Sequence, residues 1–554
     1  MAWRSRVSSP WVAWVCLAVG ATTAFFSTLN ASPLIEPDEP RYAEIAREMI
    51  VRADWVTPTL NFVKYFEKPP LVYWLVATNL MLFGQHEWAV RLWSALFGLL
   101  GVACTGLIAA RMFNPRTGLL SAAILATMPL YFGLSQVVSP DMPLAALCTA
   151  CLTLAWLSFS RWPARSPVLA SLFWSSLALG ILAKGPVALV LVWGVIAAYS
   201  LFSRRWDVWR TLFWGPALLL FVVVAAPWFV LVGWRNPEFL PFFFVEQHVV
   251  RYLDPWEHRQ NFWFYLPILL LGTFPWWLVG LMKAWRLGAL GQAGAYRASA
   301  ESIFLYAWFG VVFLFFSASG SKLGTYILPA LPPLAILFAR VMGVGAGGVD
   351  REMYQATAVA SVAIGLAMFA AARLAPVLSS HHRAQLLPPA LALGAFVCIT
   401  GGGLLWMAAR RFQRWPWLPL VTLLAFLWLL ETVTFANRSI AEHYTPLAVA
   451  IREHWQPEDR IVLYRHYTQG IPYYTGQRVI VVGSWGELDF GRRQENHSDY
   501  FWPDDERLVG EWASGKRMFL VLNRSDFGRL APSLRPPPRE LARFRKKLVV
   551  TNFE

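Results

Sequence analysis

Long apolar runs alternate with short polar intervals along most of this chain. The first apolar run extends from Trp11 to Leu29, and others follow at 88–110, 118–135, 142–160, 167–183, 187–202, 211–233, 261–283, 302–318, 325–341, 355–373, 387–408 and 416–434. Each is near the ~20 residues needed to cross a bilayer core, so the pattern predicts a polytopic, mainly α membrane protein with about thirteen transmembrane helices. The run Leu71–Phe83 is shorter, follows a proline pair, and is predicted to be interfacial. Arg4 and Arg6 precede the first run, and no small-residue cleavage site follows it, so an uncleaved first helix is expected.

Two regions break this pattern. In the polar interval Asn30–Pro70, residues Tyr42, Ile45, Ala46, Met49 and Ile50 recur at helical spacing, which predicts an amphipathic helix lying flat on the membrane surface. Asp38 or Glu39 is expected to cap it, with Pro40 in its first turn. From about Ala441 the composition becomes that of a soluble domain. Ile461–Tyr464, Val479–Val482 and Met518–Leu522 read as buried strands between helix-compatible stretches, a small α/β domain. The expected organisation is a membrane domain over 1–435, carrying catalytic outer loops, and a soluble periplasmic α/β domain over 436–554.

Composition agrees with the membrane reading: of 554 residues 57% are hydrophobic, with 30 Trp, 38 Phe and a mean hydropathy of +0.45. The net charge of +15 raises the question of nucleic acid, but many of the basic residues sit in short loops between apolar runs, which excludes a basic binding face. With the N-terminus inside, the inner loops carry Arg111 and Arg116, Arg161 and Arg165, Arg204, Arg205 and Arg210, Lys283, Arg286 and Arg297, Arg340 and Arg351, and Arg410, Arg411 and Arg414, although Asp350 and Glu352 balance the loop around Arg351. The opposite loops gather carboxylates, histidine and tyrosines on what is then the periplasmic face. The five cysteines all lie in apolar runs and read as buried thiols without disulfides. No Walker loop, dinucleotide fingerprint or solenoid repeat is present.

The outer loops hold the candidate chemistry. Asp38 and Glu39, with Arg41 and Tyr42, follow a spanning helix at headgroup depth, where a carboxylate pair can accept a proton, orient a nucleophile or bind a cationic sugar; helix capping is the plain alternative. Lys68 after Glu67, in a proline-bounded turn beside Tyr65, suits a phosphate, or it can snorkel to the interface. Ser139-Pro140-Asp141 puts a third carboxylate at the outer end of a helix. Glu246 to Tyr252 contributes His248 and Arg251; His248 with Glu67 is a possible divalent-metal (zinc) pair, short of the three or four ligands zinc takes. Lys322 and Tyr326, four residues apart, can grip a phosphate jointly or anchor at the interface.

Asp38-Glu39-Pro40-Arg41-Tyr42, Tyr65-Phe66-Glu67-Lys68-Pro69-Pro70, Ser139-Pro140-Asp141 and Lys322-Leu323-x-x-Tyr326-x-Leu328-Pro329, in this order, resemble the C-class lipid-dependent glycosyltransferases related to protein O-mannosyltransferases. More closely they resemble the bacterial aminoarabinose transferases that modify lipid A. That resemblance implies an inner-membrane, multi-pass enzyme. It would move 4-amino-4-deoxy-L-arabinose from undecaprenyl phosphate to a lipid A phosphate at the periplasmic face, with inversion, and confer polymyxin resistance. It implies Asp38 as catalytic carboxylate, with Asp141 also catalytic. Glu39, Arg41, Tyr42, Tyr65, Glu67, Lys68, Arg251, Lys322 and Tyr326 would bind substrate. No cofactor is required by this chemistry, a zinc ion at Glu67 and His248 being optional, and a monomer in contact with membrane lipids is expected. The alternatives are a transferase of another polyprenyl-phosphate sugar onto protein or glycan, and a lipid flippase; the one-sided clustering of charge argues against the flippase.

Overall fold

A computed structural model of the chain describes residues 10–161, 163–254, 258–286, 299–343 and 443–553, with isolated helical positions between 344 and 442. Apart from those positions, the expected spans at 355–373, 387–408 and 416–434 and the expected domain boundary after residue 435 lie outside the described residues. The chain forms two compact units. The first comprises Met1–Ala31, Arg91–Val230 and Leu240–Ile440; the second comprises Ser32–Val90, Leu231–Phe239 and Ala441–Glu554.

Among the described residues, six helices are long and apolar enough to cross a membrane: Glu87–Met112, Asp141–Phe159, Pro167–Lys184, Gly215–Arg235, Ala300–Ala318 and Gly324–Met342. Two further spans are broken. Pro115–Ala126 and Pro129–Ser135 meet at 66°, and Phe262–Gly272 and Trp276–Ala284 at 88°, which brings the count to as many as eight. Both breaks fall at a proline, Pro129 and Pro275, which lacks the N–H that would continue the hydrogen-bond ladder. Leu71–Phe83 is a helix of 13 residues, too short to span. The interval at 234–260, expected as a loop, contains a π-helix at Pro241–Val250, a conformation often found at functional sites.

Small side chains and aromatic rings build the first unit. Tyr131 reaches across to donate to the Gly98 carbonyl at 2.9 Å. The indole of Trp276 donates to Thr127 Oγ1 at 3.1 Å, satisfying a polar group in an otherwise apolar interior. Arg91, 1% exposed, donates to the Leu29 carbonyl at 2.9 Å. Of the thiols expected to be buried, Cys148 and Cys151 are, whereas Cys16 is exposed on the first helix.

The second unit joins the first polar interval to the tail. Strands β1 (Thr59–Leu60) and β2 (Val63–Lys64) form a hairpin whose turn residues Asn61 and Phe62 both have positive φ, as a two-residue primed turn requires. The tail carries β3 (Arg460–Tyr464), β4 (Ile480–Val482), β5 (Phe501–Trp502), β6 (Met518–Asn523), β7 (Arg539–Phe544) and β8 (Lys547–Thr551), in the order β5-β4-β3-β6-β8-β7. The first four in that order are parallel and the last two join antiparallel. The core packs Val462, Tyr464, Val482, Trp502, Trp512, Leu520 and Val550, so the three strands expected from the sequence are the buried centre of an α/β layer.

The surface-helix expectation is corrected here. The helix spans Asp38–Arg52, and Tyr42, Ile45, Ala46 and Met49 are buried as the periodicity requires, but so are Glu44, Arg47 and Glu48 on its polar side. That side is sealed by charge pairing and hydrogen bonding. Arg47 binds both oxygens of Glu44 at 2.7 Å, and Glu48 Oε2 accepts from Thr59 Oγ1 at 2.5 Å and from the Phe62 amide at 2.9 Å. Neither Asp38 nor Glu39 is the N-cap: that position is Pro37, which makes no side-chain cap, and Glu39 instead accepts from the Ile35 amide at 2.9 Å.

Candidate active site

In the second unit, the Asp38–Arg52 helix places Asp38 and Arg41 one turn apart, and Arg41 Nη1 donates to Asp38 Oδ1 at 2.7 Å. On its other side Arg41 Nε lies 2.5 Å from Glu487 Oε2. Glu487 also accepts from Gln469 at 2.6 Å and lies at the limit of hydrogen bonding, 3.5 Å, from the Tyr65 phenol. Burial works against the charge of Arg41, but Glu487, Tyr65, Asp38 and Glu67 hold its guanidinium protonated beyond the ordinary arginine range. Burial, then Glu67, pushes the Tyr65 phenol well above its usual value, so Tyr65 remains a neutral hydrogen-bond donor. Asp38 keeps a side chain 65% exposed while Arg41 is 17% exposed. The result is an accessible carboxylate held in place by a largely covered cation.

The remaining candidates of this unit flank that cluster in the chain. Tyr42 is buried with its ring stacked on Tyr73 at 5.7 Å between centres. Lys68 Nζ donates to the Glu67 carbonyl at 3.1 Å, and both residues are half-buried.

The first unit holds a separate polar group. Asp141 opens the helix Asp141–Phe159, and Lys184 closes Pro167–Lys184, the helix packed along it. Lys184 Nζ and Asp141 Oδ1 form a tight ion pair with side chains only 11% and 8% exposed. The same ammonium sits 3.9 Å from the centre of the Tyr326 ring, a cation–π contact. Lys184 is not among the candidates that the sequence singles out, although Lys184-Gly185-Pro186 lies in an outer loop of the same set as Ser139-Pro140-Asp141.

Next to it, Gly185 has φ +86°, and a Cβ there would lie 2.7 Å from His248 Nε2 and 3.0 Å from Phe243 Cζ. Only glycine fits this approach. His248 Nδ1 in turn lies 2.6 Å from the Phe243 carbonyl inside the π-helix. Arg251 donates to Gln247 at 2.9 Å. Lys322 and Tyr326 do not share a helix face: Lys322 is in the loop ahead of the 3₁₀ turn Gly324–Ala330, its ammonium donating to the carbonyls of Gln260, at 2.9 Å, and Ser319. Among the described residues no group of three or more His, Cys, Asp or Glu is gathered around a metal-sized site; Glu67 belongs to one unit and His248 to the other.

This scaffold places the chain among the membrane glycosyltransferases. Residues 21–243 match the dolichyl-phosphate-mannose-protein mannosyltransferase family, and residues 447–552 match the aminoarabinose transferase C-terminal domain. An undecaprenyl phosphate-alpha-4-amino-4-deoxy-L-arabinose arabinosyl transferase of Edwardsiella ictaluri is 30% identical over 424 residues, 73% of each chain. One of the same description from Erwinia tasmaniensis is 35% identical over 363 residues, 64% of each chain, so the aligned part spans about two thirds of these relatives. The crystal structure of ArnT from Cupriavidus metallidurans bound to undecaprenyl phosphate superposes with a TM-score of 0.84 at 28% identity, covering 99% of both chains. The chain belongs to the undecaprenyl phosphate-alpha-4-amino-4-deoxy-L-arabinose arabinosyl transferase family.

Proposed function

We propose that this protein transfers 4-amino-4-deoxy-L-arabinose from undecaprenyl phosphate to a phosphate of lipid A at the periplasmic face of the inner membrane. The observation that carries the reading is the full-length likeness, at 28% identity, to a structure bound to undecaprenyl phosphate. The chemistry of the residues supports it. The acceptor phosphate is already anionic, so Asp38 has only to orient it or take its last proton, and the Arg41 contact fixes the carboxylate for either task. Cleavage at the anomeric carbon leaves charge on the departing polyprenyl phosphate, for which Lys68 supplies a cation and the neutral Tyr65 a hydroxyl. Attack by the acceptor oxygen from the opposite side inverts the anomeric centre. Asp141 and Lys184 form a charge-balanced pair beside Tyr326, with Asp141 suited to the sugar's ammonium group. Modification of lipid A in this way removes negative charge and protects against polymyxin.

The test is transfer by the purified protein in detergent, with the undecaprenyl-linked aminopentose as donor and lipid A as acceptor. Mass spectrometry is expected to show gain of one aminopentose, lost in Asp38→Asn and Lys68→Ala at equal protein level. Lipid A unchanged by active wild-type protein, or both variants as active as wild type, overturns the reading.

A further inference from the structure

The second unit contains a cleft that none of the steps above uses. It has a volume of about 200 Å³ and opens between Glu36 and Pro37, the β7–β8 turn and the segment following β3; its walls carry Glu36, His466, Thr468, Asn523, Lys546 and Lys547. Lys546 stands exposed in the turn, whereas Lys547 is 7% exposed and its ammonium is aimed, donating to Thr468 Oγ1 at 2.7 Å and lying 5.0 Å from the centre of the Tyr444 ring. Two ammonium groups and an imidazole thus border a space of a few ångströms. The other wall is an acceptor: Glu36 Oε1 takes the Gly470 amide at 2.6 Å, and Gly470 is needed there because a Cβ would meet that oxygen at 2.6 Å. Oδ1 of Asn523, a residue of the cleft wall, is buried with no hydrogen-bond partner among the described residues. Buried polar groups of this kind normally have partners.

The lining selects a chemical class. Lysines hold phosphate as point charges, and a carboxylate, an amide and hydroxyls arranged around them match the hydroxyls of a sugar. The cleft is open to solvent, and its volume of about 200 Å³ has room for a phosphate and the sugar ring attached to it.

We propose that this cleft is a binding site for a phosphate-bearing monosaccharide, free or as the headgroup of a lipid. The site stands on the second unit alone and does not depend on the transfer reaction. Glu36 is two residues ahead of Asp38, so an occupant would touch the segment that leads into the Asp38–Arg52 helix.

Calorimetric titration of the full chain in detergent, without donor, tests it. N-acetylglucosamine 1-phosphate is expected to bind saturably and more tightly than inorganic phosphate, with glucosamine lacking the phosphate weaker still. Lys546→Ala with Lys547→Gln should weaken binding by about 10-fold or more, as loss of charged hydrogen bonds does; if that pair fails to fold, the exposed Lys546→Glu alone carries the test. Hydrogen exchange should show the sugar phosphate protecting residues 464–469 and 544–548. Competition by dispersed lipid A identifies a lipid headgroup as the source, and saturable binding without such competition identifies a soluble one; both support the site. No saturable binding, binding unchanged in the folded variants, or protection confined to other segments overturns it, whatever the transfer assay gives.

Discussion

Arg41 Nε lies 2.5 Å from Glu487 Oε2, so the guanidinium that positions Asp38 is itself positioned by a carboxylate from the tail of the chain. Burial raises the proton affinity of Glu487 and Arg41 opposes this, as expected for an acid that stays charged only beside its partner. Glu487 is thus a positioning residue. Glu487→Gln should lower kcat by about 10- to 100-fold with a smaller change in KM, because a misplaced catalytic group costs rate more than ground-state binding. The measurement is steady-state transfer with both substrates varied. A Glu487→Gln enzyme with wild-type kcat would show that Asp38 needs no such support.

Asp141 and Lys184 are mutually dependent. Removing either leaves an opposite charge poorly exposed and unpaired, a loss of about 3–5 kcal/mol for fully buried pairs and less for these partly buried ones. Asp141→Asn and Lys184→Met should each reduce activity strongly, and the double variant should be no worse than the weaker single one. A double-mutant cycle on kcat/KM and on thermal stability checks this. Additive losses would mean that the two side chains act separately.

Much of this is legible in the chain alone, and the failures have physical reasons. Short continuous apolar runs locate the strands of the tail and a period-3.6 pattern locates the Asp38–Arg52 helix, because burial dictates both. The same periodicity puts Glu44, Arg47 and Glu48 in solvent, since it registers polarity and not partners; Thr59 and the Phe62 amide supply those only once the β1–β2 hairpin closes. Asp38, Arg41 and Tyr65 stand out as polar residues beside apolar runs. Glu487 does not, lying in an ordinary soluble stretch far along the chain. Nor does Asn61, whose carboxamide exchanges two hydrogen bonds with the Val479 backbone, at 2.9 and 3.0 Å, as a neighbouring strand would. Lys184 is visible, but a lysine at a helix end reads as an interfacial anchor until Asp141 is seen beside it.

Glu36 provides a pH signature. Burial pushes its carboxyl from 4.5 to about 7, against the pull of the Gly470 amide and Lys547. The native state therefore binds this proton more tightly than the unfolded chain does. The stabilisation from that proton is fully present below pH 4.5 and is lost as pH rises through about 7. Glu36→Gln mimics the protonated form and lacks this loss. The apparent Tm of the variant minus that of wild type should rise between about pH 5 and 8 by a few degrees. A difference that is flat over this range would place the titration elsewhere.

Gly185→Ala tests the approach of His248 to the end of the Lys184 helix. Two costs add at this position: a left-handed φ of +86°, and a methyl 2.7 Å from His248 Nε2. Gly476 gives the backbone cost of the left-handed helical region alone, at φ +70° and ψ +10° with nothing within 4 Å of the place a methyl would take, whereas Gly185 at ψ −156° lies in a region populated essentially by glycine. Gly476→Ala should therefore show only the backbone cost, about 1 kcal/mol. Gly185→Ala should lose more, about 1–3 kcal/mol beyond that, or else push the imidazole away from the Phe243 carbonyl it now meets at 2.6 Å. In that second case stability recovers, and transfer activity falls only where the position of His248 matters to the site. Thermal unfolding and activity measured on both variants distinguish the outcomes. Equal stability losses at the two glycines with full activity in Gly185→Ala would show that His248 can move aside without consequence for the site.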